Sequence, residues 1–385
     1  MSSVVARECR PCVAIVGASV RAAAQSALRA GFDVVGADLF ADADLDGVCP
    51  VTRIDDYPNG FAAWLTEQRA DAWMYTGALE NYPELVDRMA TIAPLWGVRG
   101  EPLRRCRDPI ELGRVFADSG IAFPKTLPRG VRPNDADFWL AKTYRHSAGA
   151  GTVEYGFGWS AEADPAKLDA YPQKIVAGEP HAAVYALSDS GSRLLGVTEQ
   201  LLGEGDACWS YRGSIGPIDL YSQPPSVAAS LERVGSVLAG ELGLRGVVGV
   251  DVLIEGDTLT VVEVNPRYPA SAEVLERASG QSVLAQHASA FGGDRSCEWE
   301  AAPGRVAAKQ VVYARGRITV DERLAELLQA LHRTGDVADL PREGTSIEAG
   351  QPVCTALGHA SSVAKASAAL FHVTGILSGP LTPRP

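Results

Sequence analysis

No apolar run in this chain reaches the roughly 18 residues that a membrane-spanning helix requires. The opening MSSVVARECRPCVAIVG also lacks a long apolar segment followed by small residues at a cleavage point, so the expectation is a cytoplasmic protein. Positive charge is scarce as well: 35 Lys and Arg against 47 Asp and Glu give a formal net charge of −12. With no basic patch to offset that balance, the sequence argues against a nucleic-acid partner. Seven cysteines, odd in number and scattered, build no closed disulfide framework. Cys9 and Cys12 form a C-x-x-C, but a structural zinc needs a second pair and none follows. A complete G-x-G-x-x-G is missing too. Internal repeats and low-complexity segments are absent.

What remains is 385 residues that are 46% hydrophobic and 21% charged, enough for a sizeable core and two or three domains. The first hundred residues alternate strand and helix. CVAIVGAS, VRAAAQSALRAG and FDVVGADLF read as strand, helix and strand, followed by a helix around FAAWLTEQRA, a strand at AWMYTG and a helix around PELVDRMATI. This pattern predicts a parallel sheet with a ligand crevice at the C-terminal ends of its strands. Gly17 marks the first turn and Asp38 falls about where a ribose-binding acid would stand. That turn reads either as a plain strand-to-helix connection or as a helix N-terminus that meets an anionic substrate. After RRCRDP, the helix ELGRVFADSG and the turn-rich IAFPKTLPRGVRPND suggest a domain boundary. Beyond residue 301, AAKQVVYARG reads as a strand, and DERLAELLQALHRTG and SVAKASAALFHVTG as helices.

The richest segment is GVVGVDVLIEGDTLTVVEVNPRYPAS. Two strand-like runs flank Gly256-Asp257, a strong hairpin signal. Period-two alternation puts Glu263 and Asn265 on one face of the second strand, and Asp251 of the first can lie across from them. Such hard oxygen donors suit Mg2+, and Arg267 follows with a planar fork for a phosphate oxygen. The alternative is the ordinary polar face of a half-solvated hairpin.

EVNPR after a hairpin that carries an acid resembles the metal-binding signature of the ATP-grasp superfamily. WLAKTYRHSAGAGT resembles that superfamily's strand with a phosphate-contacting lysine, here Lys142, followed by a loop over the triphosphate. Lys142 supplies a point charge, Gly149 and Gly151 allow backbone N–H groups close to phosphate oxygens, and Ser147 adds a hydroxyl. The alternative for this loop is a plain turn. YPQKIVAGEPHAAVYAL resembles the hinge that holds adenine, which implies backbone contacts at Gln173, Lys174 and Val176 and a ribose contact at Glu179 or His181. His181 reads equally as a buried structural residue. Many superfamily members carry Asp-Lys where this chain reads Arg107-Asp108-Pro109. Arg107 either replaces that lysine at the phosphates or pairs with Asp108 or another surface carboxylate.

The resemblance covers the whole chain and implies an α/β (α+β) ATP-grasp fold. Its parts are a Rossmann-like substrate domain at 1–104, a two-lobed ATP-grasp domain at 105–300 and a small barrel-like C-terminal segment at 301–385. GALENYP, YRGSIGP and ADLPREGTSIEAGQPVCTAL are similar to a subgroup found in bacteria with tetrahydromethanopterin-linked one-carbon metabolism. The implied activity is a carboxylate–amine ligase that uses Mg2+ and ATP to form an acyl phosphate, with small-molecule carboxylate and amine substrates. A carboxylase, a small-molecule kinase, a non-catalytic nucleotide-binding protein and a dehydrogenase stand as alternatives. Arg267 and Lys142 are the expected catalytic residues, and Ser19, Arg21, Glu80, Asn81 and Arg212 the expected substrate contacts. A homodimer is left open.

Overall fold

The computed structural model describes residues 10–133, 138–145, 152–155, 169–204, 208–293, 298–300, 304–379 and 381. The first domain is a four-stranded parallel sheet of β1 (Cys12–Gly17), β2 (Asp33–Asp38), β3 (Val51–Arg53) and β4 (Ala72–Tyr75), in the order β3-β2-β1-β4. Helices α1 (Arg21–Arg29), α2 (Gly60–Thr66) and α3 (Pro83–Met89) accompany it. β1 and β4 are buried almost throughout, as expected for strands covered on both faces. Gly17 takes φ 158°, which side chains rarely adopt, and a Cβ there would fall 2.0 Å from Thr76 Oγ1, so only glycine fits.

Two helices lead into the second domain: α4 (Gly100–Arg107) and α5 (Pro109–Asp118). Asp108 joins them, and its carboxylate caps α5 by accepting from the Ile110 and Glu111 N–H groups. Next comes a small antiparallel sheet of β5 (Trp139–Thr143), β6 (Thr152–Tyr155) and β7 (Ala170–Lys174), in the order β6-β5-β7.

The largest element is an eight-stranded antiparallel sheet. The second domain supplies β8 (Glu179–Ser188), β9 (Gly191–Leu202), β10 (Tyr211–Gly216), β11 (Gly246–Glu255) and β12 (Thr258–Asn265). The C-terminal segment supplies β13 (Val306–Tyr313), β15 (Val337–Ala338) and β17 (Pro352–Ala360), while β14 (Ile318–Thr319) and β16 (Ser346–Ile347) pair separately. The order is β12-β11-β8-β9-β10-β13-β17-β15. A strand pair between β10 and β13 carries the sheet across residue 301, so the C-terminal strands extend the central sheet. Helices α6 (Pro225–Gly240), α7 (Ala270–Ser279), α8 (Val283–Ser289), α9 (Glu322–Thr334) and α10 (Val363–Ser378) complete the fold. One continuous core runs from Trp73 and Leu103 through Phe116 to Leu238 and Val250, tying the parallel sheet to the central one. Among the described residues, no helix is long and apolar enough to cross a membrane.

Candidate functional site

The parallel sheet, the small sheet and the central sheet enclose one cavity of about 910 Å3. At one end of it stands the β11–β12 hairpin, turned by Gly256 at φ 57°. Asp251 pairs in register with Glu263, and Gly249 with Asn265. A β-bulge follows: Val252 pairs with Val261, leaving Val262 as the extra residue. The bulge keeps Val261 in the core while Val262, Glu263 and Asn265 all line the cavity, so the expected shared face of Glu263 and Asn265 is present.

These side chains are linked. Asn265 Nδ2 donates to Asp251 Oδ2 at 3.2 Å, and Asn265 Oδ1 accepts from Arg267 Nη2 at 3.1 Å. Arg267 Nε donates to Glu80 Oε1 at 3.0 Å. Gln200 Nε2 donates to Asp251 Oδ1 at 2.8 Å. Across the hairpin, Arg107 Nη1 meets Glu263 Oε1 at 3.1 Å, and Lys142 Nζ lies 4.0 Å from Glu263 Oε2. Lys142 also donates to Gln173 Oε1 at 3.3 Å. Burial, reinforced by the charge of Glu263, pushes the Asp251 carboxyl up to about 6. For Lys142 burial works against the charge, but Tyr171, Glu263 and Asp251 outweigh it and hold the amine above its usual value.

The donor set fits Mg2+ held together with phosphate. Two carboxylates and an amide supply hard oxygens, while the described residues hold no group of three or more His, Cys, Asp or Glu that would cage an ion alone. A cation shared with phosphate oxygens matches such a half-complete set. Arg107 Nε is buried with no hydrogen-bond partner among the described residues, a donor left over beside the same cluster.

Gln173, Lys174 and Val176 line the cavity where β7 gives way to β8, as the hinge reading expected, and Ile175 joins them. The side chain of Gln173 has a second task, since it orients Lys142 while donating to Thr126 Oγ1 at 3.3 Å. Glu179 and His181 stand differently. The cavity residues of β8 are Pro180 and Ala182; strand parity turns Glu179 and His181 to the other face, where Glu179 is exposed and His181 Nδ1 lies 2.9 Å from Glu179 O. Ser147, Gly149 and Gly151 lie outside the described residues.

Of the expected substrate contacts, Ser19 lines the cavity and is exposed. Arg21 lines it too, but at 1% exposure all its donors are taken, by Glu273, Asp339 and Gln25. It is therefore not free to grip an anionic substrate. Glu80 and Asn81 are buried at 2% and 8% exposure and do not line the cavity; Glu80 acts on Arg267 instead. Arg212 stacks over Tyr313 at 4.0 Å, on a strand whose cavity residue is Tyr211. Asp38 is fully buried, and its carboxylate accepts the N–H groups of Val20, Phe40 and Ala41, which leaves it no role at a ribose. Gln200 went unnoticed in the sequence, because TEQLL reads as an ordinary strand.

Residues 106–271 match the family model described as the ATP-grasp domain. Among solved structures, it resembles N5-carboxyaminoimidazole ribonucleotide synthetase from Thermus thermophilus at TM-score 0.69 and 15% identity, covering 97% of this chain and 99% of that one. L-amino acid ligase from Bacillus licheniformis matches at TM-score 0.68 and 16% identity, over 96% and 98%. Biotin carboxylase from Campylobacter jejuni matches at 0.69 and 14%, over 92% and 89%. At these identities the likeness establishes the fold. A comparison with curated proteins returned no match.

Proposed function

We propose that this chain is an ATP-dependent ligase that activates a carboxylate as an acyl phosphate and couples it to an amine. The observation that carries the reading is the convergence of Lys142, Arg107 and Arg267 with Asp251, Glu263 and Asn265 at one cavity that continues into the 173–176 hinge. Adenine lies against the hinge, and the triphosphate runs toward the hairpin. Asp251, Glu263 and Asn265 hold Mg2+, which neutralises phosphate charge when bound. Lys142 and Arg107 face the phosphates, and Arg267, fixed by Glu80 and Asn265, faces the reacting γ-phosphoryl group.

The substrate carboxylate oxygen forms a bond to the γ-phosphorus as the bond to the bridging oxygen of ADP breaks. The amine nitrogen then bonds to the acyl carbon, inorganic phosphate leaves, and the nitrogen gives up a proton. Two of the resembling structures bear names that fit this chemistry, an amino acid ligase and a carboxyaminoimidazole ribonucleotide synthetase. The motif likeness to the one-carbon subgroup supports placing the amide in a pterin or furan cofactor. The deciding experiment is phosphate release from Mg-ATP with panels of carboxylates and amines. A ligase releases phosphate only when both partners are present; ADP formed with one partner, with the phosphoryl group retained on a phosphorylated product and no free phosphate, makes it a kinase, and dependence on bicarbonate makes it a carboxylase.

A further inference from the structure

The cavity extends well beyond the metal cluster. Its floor follows the central sheet from β11 to β13 and β17. Four strand-to-strand steps separate β11 from β13, which at the usual spacing is about 19 Å.

At this far end, nearly every charge has a partner. Arg21 donates to Glu273 at 2.8 and 3.1 Å and to Asp339 at 2.6 and 3.2 Å. Lys309 Nζ meets Glu273 Oε2 at 3.0 Å, and Thr355 Oγ1 donates to Asp339 at 2.6 Å. The Asp44 carboxylate accepts the N–H groups of Asp339 and Leu340 at 2.9 and 3.0 Å. Asp42 is the exception. It lines the cavity at the N-cap of the turn Ala43–Leu45, yet its side chain does not cap that turn and makes no hydrogen bond or ion pair among the described residues.

Its placement is enforced from behind. Asp38 accepts from Phe40 N at 2.7 Å and Ala41 N at 2.8 Å, and Ala41 takes φ 50°, a left-handed conformation that non-glycine residues avoid. The loop so held presents Phe40, 45% exposed, and Asp42 to the cavity. A second group without a partner lines the same cavity. Ser271, two residues before Glu273, is only 3% exposed and lines the cavity, and its hydroxyl makes no hydrogen bond among the described residues.

The anionic substrate expected from the sequence finds the cations among the described residues of this end already engaged: Arg21 and Lys309 by Glu273 and Asp339, Arg342 by Asp46 and the Ala41 carbonyl, and Arg53 by Asp55. A carboxylate and a hydroxyl without partners call for a ligand that donates hydrogen bonds and carries positive charge. We propose that this end of the cavity seats a protonated amine carried by the substrate, with Asp42 as its counter-ion, the Ser271 hydroxyl as a second acceptor, and Phe40 and Tyr313 beside it. The assignment rests on the ligase reading for the word substrate, and on the geometry alone for the chemistry of the ligand. Burial, with Asp339, Asp38 and Asp44 nearby, pushes the Asp42 carboxyl up to about 8, and a bound cation draws it back to its ionised form.

The test uses the full chain, with benzylamine as probe and benzyl alcohol as its neutral match, by titration calorimetry near neutral pH. Benzylamine is expected to bind at least about tenfold more tightly than the alcohol, the scale of a charge-assisted hydrogen bond. D42N should remove that difference, and Ser271→Ala should narrow it. Equal binding of the two probes to the wild-type protein overturns the proposal without recourse to any variant, as does undiminished discrimination in folded D42N. Mg-ATP is titrated separately. Loss of nucleotide binding refutes the ligase reading, while the amine comparison reports on Asp42 alone.

Discussion

Arg107 Nη1 lies 3.1 Å from Glu263 Oε1, so a cation on the helix pair leading into the second domain neutralises a carboxylate assigned to the metal. The pair is largely buried, with 16% and 21% of the side chains exposed, and Asp108, which the sequence offered as a partner for Arg107, is occupied capping α5. Arg107 thus serves Glu263 in the nucleotide-free protein and has Nε in reserve for a phosphate oxygen.

R107A is accordingly expected to weaken Mg-ATP binding and also to lower the stability of the free protein by about 1–2 kcal/mol. That is below the cost of orphaning a fully buried charge, because Lys142 stays within 4.0 Å of Glu263. Arg107→Lys should recover the stability better than the affinity, since an ammonium lacks the fork that reaches carboxylate and phosphate together. Calorimetric titration with ATP and thermal denaturation read the two effects apart. An R107A protein with wild-type affinity returns the phosphate role to Lys142 and Arg267.

Glu263→Gln keeps the side-chain shape and the pairing of the hairpin but removes a charge from the metal and from Arg107. Turnover, followed as phosphate release with both substrates present, should fall by on the order of 100-fold or more, with the fold retained by circular dichroism. Near wild-type release from a folded variant would falsify the metal assignment.

The pH dependence of the site follows from Asp251. Its folded-state value, about 6, is above the ordinary carboxylate value of 3.8, so between those pH values the folded protein holds a proton that the unfolded chain has lost. This group therefore makes the free protein less stable as pH rises from about 4 to about 6, and the penalty persists above that. Metal binding runs the other way, because the ligand must be ionised: Mg2+ affinity should fall as pH drops through about 6. Mn2+ binding without nucleotide, followed by the water proton relaxation it perturbs, measures this free of the titration of ATP. In D251N the decline through that window should disappear; if it persists unchanged, another group controls the metal.

The contrast between Asp251 and Arg21 shows which features were readable in the sequence. The hairpin was legible because its signals are local: a Gly-Asp turn, alternation on each side, and acids at fixed offsets. Glu263 and Asn265 followed from those offsets alone, although the bulge at Val262 did not. Arg21 looked available because the residues that consume it, Glu273 and Asp339, lie 252 and 318 positions away. Glu179 and His181 were assigned to a strand whose parity had no anchor, and one position decides which face a residue takes. The pairing of β10 with β13 was not legible because it joins residues about a hundred positions apart, beyond any periodic signal.

Gln200 provides the last prediction, concerning a residue that acts through another. It reaches Asp251 from β9 across the intervening β8, where the residue opposite Asp251 is Ala182, too short to block the amide. Its Nε2 stabilises the ionised carboxylate and fixes one of its oxygens, leaving the rotamer that faces Glu263. Gln200→Leu keeps the bulk on the cavity wall and removes the donor, so the Asp251 carboxyl should move further above about 6 and bind the metal less well. Losses on the order of 10-fold are usual when a partner that orients a metal ligand is removed. The Mg2+ concentration for half-maximal activity should rise by about that factor, with the KM for ATP at saturating Mg2+ little changed. A merely structural role for Gln200 would lower the melting temperature and leave the Mg2+ requirement where it was, and that result would remove Gln200 from the site.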